Sequence, residues 1–126
     1  MKPFNIYSIA DPSYNIRANT FKIHKGQTLP HFLAMALTMW EQIKNGNDAY
    51  SELIFNTGDR CDVFVPNLGA IEIIHSEGKE SIERKKEDYP VDVIFLESEK
   101  VINYWLDKLN YEDAYKKGIE AIRRLK

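Results

Sequence analysis

Two short apolar segments, each carrying one acidic residue, constrain this chain more than any other feature. Asp62 begins the segment at 62–65, and Glu72 lies inside the segment at 70–75. Acidic residues are depleted in strands, so each placement needs a reason. The link between the segments, Pro66–Gly69, consists largely of residue types that favour turns. We therefore predict two strands that pair as a hairpin and bring both carboxylates to one place.

The rest of the chain predicts helices and strands in a definite order. Thr28 is a suitable cap for the clearest helix, and apolar residues recur behind it with helical spacing. A near-continuous apolar run at 91–96 follows a short charged helix, which predicts a buried strand after a crossover. The predicted elements are a helix at 28–44, strands at 51–56, 62–65 and 70–75, a helix at 80–88, a strand at 91–96, and helices at 97–109 and 111–125.

Two further predictions concern the beginning of the chain and its core. Alternating apolar residues at 4–9 and 19–24 predict a hairpin, with a turn signal at Asp11-Pro12-Ser13. The apolar face of the first helix predicts its buried residues: Leu29, Phe32, Leu33, Ala36, Leu37, Trp40 and Ile43, with Met35 and Met39 beside them. Trp105, on the apolar face of a later helix, is also predicted to be mostly buried.

The element order indicates the fold class. A helix, three strands, a helix, a strand and then further helices predict an α/β protein with a mixed central sheet and helices on both faces. The length of 126 residues predicts a single domain over 1–126.

Composition excludes several classes of protein. The chain is 44% hydrophobic and 29% charged, as in ordinary soluble proteins, and no apolar run has the length of a membrane span. The net charge of -2 provides no general attraction for nucleic acid, so DNA binding has to rest on local patches. A single cysteine, Cys61, excludes an intrachain disulfide, and the first residues contain no signal peptide. We predict a cytoplasmic protein without membrane contacts.

The stretch around the two acidic residues resembles the restriction-endonuclease-like nuclease superfamily, also called PD-(D/E)xK. In that pattern an Asp begins one strand, a Glu lies in the next, and a Lys follows the Glu by two positions; Asp62 and Glu72 match the two acids. The upstream run Glu52…Gly58-Asp59-Arg60-Cys61-Asp62 looks like the "E…G-x-R-x-D" of small members. The predicted helix and strand after Glu72 also fit, so the resemblance covers roughly residues 29–96.

The resemblance implies a fold and an activity. It implies a core of order α-β-β-β-α-β, here with extra C-terminal helices, and hydrolysis of phosphodiester bonds in DNA. The implied cofactor is Mg²⁺ or Mn²⁺, held by Asp62, Glu72 and the backbone carbonyl of Ile73. Glu52 is then either the additional acid that many relatives use beside the metal or an ordinary solvated residue. Relatives often act as homodimers, and so small a core favours structure-selective or nonspecific cutting.

The sequence departs from the pattern at one position, because Ile74 stands where the Lys is expected. Three alternatives follow. The lysine has moved to Lys79 or Lys85, and we favour Lys85 because a helix is the more rigid platform. Ser76 orients the attacking water and no lysine is needed. Or catalysis is lost, and the protein is a non-catalytic nucleic-acid-binding or assembly module on the same fold.

Two sets of residues can also be explained by a purely structural role. Arg84, Lys85 and Lys86 form a basic cluster that suits a phosphate backbone, but we prefer to interpret it as a solvated helix face paired with neighbouring glutamates. Asp62 and Glu72 are incidental if Asp62 merely begins a strand and Glu72 faces solvent at a sheet edge.

Overall fold

The computed structural model describes residues 3–23, 25–109 and 111–125, without the side chains of 109 and 111–115. The described residues form nine elements, and all but the first agree with the predicted order. These elements are α1 (Ile6–Ile9), α2 (Leu29–Lys44), β1 (Tyr50–Ser51), β2 (Val63–Val65), β3 (Gly69–Ile74), α3 (Lys79–Asp88), β4 (Val93–Glu97), α4 (Ser98–Leu109) and α5 (Tyr111–Arg124).

The four strands form one mixed sheet in the order β1-β2-β3-β4. β1, β2 and β3 pair antiparallel, and β4 pairs parallel to β3 after the crossover through α3. Gly69 has a φ of +112°, and a Cβ at this position would clash with the carbonyl oxygen of Asp92, so the β3–β4 pairing requires glycine there. The predicted α/β class with a mixed sheet is confirmed. None of the helices in the described ranges has the length and apolar character needed to cross a membrane.

The sheet separates two clusters of buried side chains. On one face, Ala34, Met35 and Met39 of α2 pack against alternate residues of β2 and β3. On the other face, the segment containing α1 covers Phe64 and Cys61 together with the aromatic ring of Tyr89. Cys61 is fully buried.

The helix α2 and its Thr28 cap are confirmed, but its predicted buried face is wrong except for Met35 and Met39. The side chains that reach the sheet are Ala34, Met35, Thr38 and Met39. Trp40 is 50% exposed and Leu33 is 37% exposed, so the larger apolar residues face outward. The cause is that α2 has apolar residues around much of its circumference, and its smaller or more flexible side chains allow the closer approach to the sheet.

The predicted N-terminal hairpin is also wrong. Residues 6–9 form the short helix α1, where the side chain of Asn5 accepts a hydrogen bond from the backbone N–H of Tyr7. Residues 19–23 form no strand, and they are held beside β1 by Ser51, whose hydroxyl donates to the carbonyl of Thr20 and accepts from the N–H of Lys22. Position 24 lies outside the described residues.

Two strand predictions need correction. The strand predicted at 51–56 ends after Ser51, because Glu52 has a φ of +51°, which an extended strand does not allow. β4 was predicted to be buried, but it is the edge strand of the sheet and Ile94 is 39% exposed. An apolar run therefore indicated the strand correctly without indicating its place in the sheet.

Candidate active site

Asp62 and Glu72 come together where the pairing of β2 with β3 ends. The register pairs Val63 with Ile71, so the next residues along, Asp62 and Glu72, are opposite each other. The Oδ2 atom of Asp62 accepts a hydrogen bond of 2.8 Å from the N–H of Ile73. The Oε1 atom of Glu72 accepts one of 3.1 Å from the N–H of Asp62. Each carboxylate thus binds the other strand's backbone, which confirms that the hairpin brings both acids to one place.

The Glu72 carboxyl group is buried, with the residue only 4% exposed. The interpretation that Glu72 faces solvent at an edge is therefore wrong. Its Oε1 atom lies 3.1 Å from the hydroxyl of Tyr89, which is also 2.8 Å from the carbonyl oxygen of Arg60. Burial and the neighbouring charge of Asp62 raise the pKa of Glu72 to about 7, against the opposing effect of Lys85. Two acids held this close repel each other, and a cation between them relieves that repulsion.

Lys85 reaches Glu72 from α3. Its Nζ atom lies 3.2 Å from Oε2 of Glu72 and 3.0 Å from Oε2 of Glu77, and its side chain is only 14% exposed. Burial lowers the pKa of Lys85, but the hydrogen bond to Glu77 and the charge of Glu72 outweigh it, so the net shift is upward. Glu77 is held in turn by the hydroxyl of Ser81, 3.0 Å away. An ammonium group therefore stands beside Glu72 although the position two residues after it is Ile74.

Lys79 and Ser76, the two alternatives to Lys85, are both exposed. Lys79 is exposed at the beginning of α3. Ser76 is exposed and has a φ of +58° just after β3 ends, so the alternation that would have set it beside Glu72 does not extend to it. His75 is exposed and its Nδ1 atom lies 3.3 Å from the hydroxyl of Ser98, away from the two acids.

His31, in the first turn of α2, contacts Asp62 and was not identified from the sequence. Its Nε2 atom lies 3.3 Å from Oδ1 of Asp62. The hydrogen bond to Asp62 raises the pKa of His31, burial opposes this, and the charges of Glu72 and Glu52 add to it. The one available signal was a polar residue in the first turn of a helix that otherwise appeared to belong entirely to the core.

A cleft of about 290 Å³ opens beside His31 and Asp62, and Glu52 and Arg60 also line it. The positive φ of Glu52 ends β1 here, and its N–H donates a hydrogen bond of 2.7 Å to the carbonyl of Asp62. Glu52, which was considered as an additional acid, therefore lines the same cleft as Asp62. Asp62 is the residue that links this open cleft to the buried Glu72.

The donors of this site fit a hard divalent cation that keeps most of its water. Carboxylate oxygens of Asp62 and Glu72 are the ligand type that Mg²⁺ prefers, and one or two carboxylates are its usual protein ligands. The N–H of Ile73 points toward Asp62. Because N–H and C=O of a residue point to the same side of a strand, the Ile73 carbonyl lies on that side as well. Across the described ranges, no three His, Cys, Asp or Glu side chains are arranged to enclose a metal ion.

The basic cluster on α3 is largely paired with acids. Arg84 lies 3.4 Å from both Asp59 and Asp88, and Lys86 lies 3.7 Å from Glu83. These pairs are the arrangement of a solvated helix face, and exposed pairs of this kind add little stability. Arg84 and Lys86 remain about half exposed, so their charges are accessible at the surface near the site.

No protein-family model, curated protein or solved structure matches this chain. Its function must therefore be inferred from the residues of this site.

Proposed function

We propose that this protein is a metal-dependent nuclease that hydrolyses phosphodiester bonds in DNA. The observation that carries the proposal is the ammonium group of Lys85, 3.2 Å from a carboxylate oxygen of Glu72. An acidic pair on two neighbouring strands, completed by one partly buried lysine, is the charge arrangement that this chemistry needs. The lysine comes from the helix after β3, which supplies the group that Ile74 lacks.

The order of the elements supports the proposal. α2, β1, β2, β3, α3 and β4 follow one another as α-β-β-β-α-β, the order that the resemblance to the restriction-endonuclease-like superfamily implies. α4 and α5 are then additions at the C-terminal end. This similarity in element order is an argument about the fold only. The proposed activity depends on the residues of the site.

Each residue of the site has a role in the proposed reaction. When bound, Mg²⁺ or Mn²⁺ polarises the phosphate as a Lewis acid and lowers the pKa of a water molecule in its coordination shell. Asp62 and Glu72 would hold the cation, with the carbonyl of Ile73 beside them, and Glu52 would provide additional negative charge at the cleft. Lys85 stabilises negative charge that develops at the phosphate, and its attachment to a helix keeps it in position. His31 holds Oδ1 of Asp62 on the side of the cleft where DNA enters.

A non-catalytic nucleic-acid-binding module is the second candidate, and one observation favours it. Both carboxylates already accept hydrogen bonds from backbone N–H groups of the hairpin, Asp62 from Ile73 and Glu72 from Asp62. These hydrogen bonds stabilise the end of the hairpin, which gives the two acids a structural role that does not require catalysis. In this case the protein binds DNA with the same affinity whether or not a divalent cation is present.

Cleavage assays with isosteric variants distinguish the two candidates. We expect the purified protein to nick or degrade DNA with Mg²⁺ or Mn²⁺ and to stop with chelator. Asp62→Asn and Glu72→Gln keep the acceptor oxygens of the hairpin but lose the charges, so each is expected to abolish cleavage in a folded protein. Glu83→Gln, which removes an exposed acid from α3, is the matched control and is expected to cut normally. Cleavage that persists in both site variants contradicts the proposal, and metal-independent binding without cleavage on any DNA favours the second candidate.

A further inference from the structure

The outer side of α2 and α4 contains an apolar groove. Leu33, Leu37 and Trp40 of α2 and Trp105 of α4 line a cavity of about 330 Å³. The two tryptophan rings meet edge to face with their centroids 5.3 Å apart. Trp40 nevertheless remains 50% exposed and Leu33 37% exposed. Contiguous exposed apolar residues of this size are typical of a surface that binds a partner.

The last helix has an apolar face of its own. Ile119, Ile122 and Leu125 recur at intervals of three residues and lie on one side of α5 and its end, while Glu120 and Arg124 lie on the other. Ile122 is 59% exposed and Leu125 is 87% exposed. None of the α5 side chains at 116–124 is buried. An amphipathic helix gains most of its stability from packing its apolar face, so α5 needs a surface to bind.

α5 cannot bind the groove of its own chain as the second helix of a hairpin. α4 ends at Leu109 and α5 begins at Tyr111, so a single residue separates them. Two antiparallel helices require a connection of about two to five residues. So short a link does not allow α5 to fold back along α4 as the second helix of a hairpin.

We propose that two copies of the chain exchange their α5 helices. The apolar face of α5 from each copy fills the groove between α2 and α4 of the other, as amphipathic helices bind grooves in many complexes. Because both copies provide one helix and one groove, the exchange closes as a two-fold dimer. Glu41 follows Trp40 on α2 and lines a neighbouring cavity that shares Trp105 with the groove. It therefore provides a carboxylate at the edge of the groove for Arg123, which flanks the apolar face of α5. The proposal is independent of the nuclease function.

The mass of the protein in solution is the first test. Light scattering is expected to give twice the 14.7 kDa of the chain. Ile122→Asp places a charge on the apolar face of α5, and we expect this variant to be monomeric with its tryptophan emission shifted to the red. Arg124→Asp introduces the same residue on the opposite side of the helix and is expected to remain dimeric. A monomeric parent protein, or a dimer unchanged by Ile122→Asp, contradicts the exchange.

Disulfide trapping then identifies which chain supplies the helix. Leu33→Cys and Ile122→Cys are made in separate proteins, which are mixed and oxidised; the native Cys61 is fully buried. We expect a disulfide that links one Leu33→Cys chain to one Ile122→Cys chain. In a second experiment, one chain carries both substitutions and is oxidised alone. If it forms an internal disulfide as a monomer, α5 binds the groove of its own chain and the proposal is wrong. Absence of any cross-link in both experiments also contradicts it.

Discussion

The end of the β2–β3 hairpin and the outer side of α2 and α4 depart from ordinary packing in opposite ways. At the hairpin, a carboxylate, an ammonium group and a phenol are enclosed by the protein. On the outer side, Trp40 and several aliphatic side chains face solvent. Buried charge and exposed apolar surface are both costly, and each is more informative about function than a typical core residue. These two departures are the observations from which we proposed a reaction at the first region and the binding of a second chain at the other.

The largest predicted difference between buried and exposed positions is in the free energy of unfolding, because a buried side chain contributes more to stability than an exposed one. Phe64 is fully buried, so Phe64→Ala is expected to lower the free energy of unfolding by about 3–5 kcal/mol. Trp40→Ala removes a larger ring that is only half buried, and we expect a loss of about 1–2 kcal/mol. Urea titrations in the monomeric Ile122→Asp background measure both values without a contribution from dimerisation. Equal losses would show that the two regions do not differ in burial as described.

The pH dependence of stability tests the buried carboxyl group. The pKa of Glu72 is about 7 in the folded protein and has an ordinary value of 4.5. Below pH 4.5 the group is protonated in both folded and unfolded chains; between these values the folded protein retains a proton that the unfolded chain has lost. The contribution of Glu72 to stability therefore falls as pH rises toward 7, by up to about 3 kcal/mol.

Comparison with Glu72→Gln isolates this effect from other titrating groups. In chelator, the stability of the parent minus that of the variant is expected to decrease between pH 4.5 and 7 and to change little on the acidic side. Glu83→Gln, at an exposed acid, is expected to show no such trend. A constant difference between parent and Glu72→Gln would mean that Glu72 is ionised in the folded protein throughout this range.

The role of Lys85 is sharpened by comparison with Lys79, at the other end of the same helix. Lys85 contacts Glu72, whereas Lys79 is exposed. We expect Lys85→Ala to lower single-turnover cleavage by roughly a hundred-fold or more, the effect of losing one preorganised stabilising group. DNA binding is expected to weaken only slightly, since one of several phosphate contacts is lost. Lys79→Ala is the control, and equal rates for both variants and the parent would exclude a relocated lysine from the mechanism.

The sequence predicted those features that depend on local pattern. The cap and spacing of α2, the hairpin and the crossover through α3 follow from turn residues and periodicity, and the structure has them within a few residues. The proximity of Asp62 and Glu72 followed from the hairpin alone. Lys85 was chosen over Lys79 because of the rigidity of a helix, and the structure brings Lys85 to Glu72.

The errors concern features that depend on distant parts of the chain. Periodicity showed that α2 is apolar but not which of its sides faces the sheet, so Trp40 was assigned to the core. β4 has an apolar sequence, but nothing local indicates that it lies at the edge. The contact of His31 with Asp62 joins residues that are far apart in sequence, and only the packing of α2 on the sheet produces it.

The most direct test of the central claim is to locate Mn²⁺ in crystals of the protein by anomalous scattering. We predict one strong peak in contact with carboxylate oxygens of Asp62 and Glu72, lost in a crystal of Glu72→Gln. Lys85 is expected to remain within hydrogen-bonding distance of that carboxylate or of a water bound to the metal. Crystals at saturating Mn²⁺ with no peak at these two acids, and with His31 and Lys85 still paired to them, would contradict the assignment of this site to metal-dependent hydrolysis.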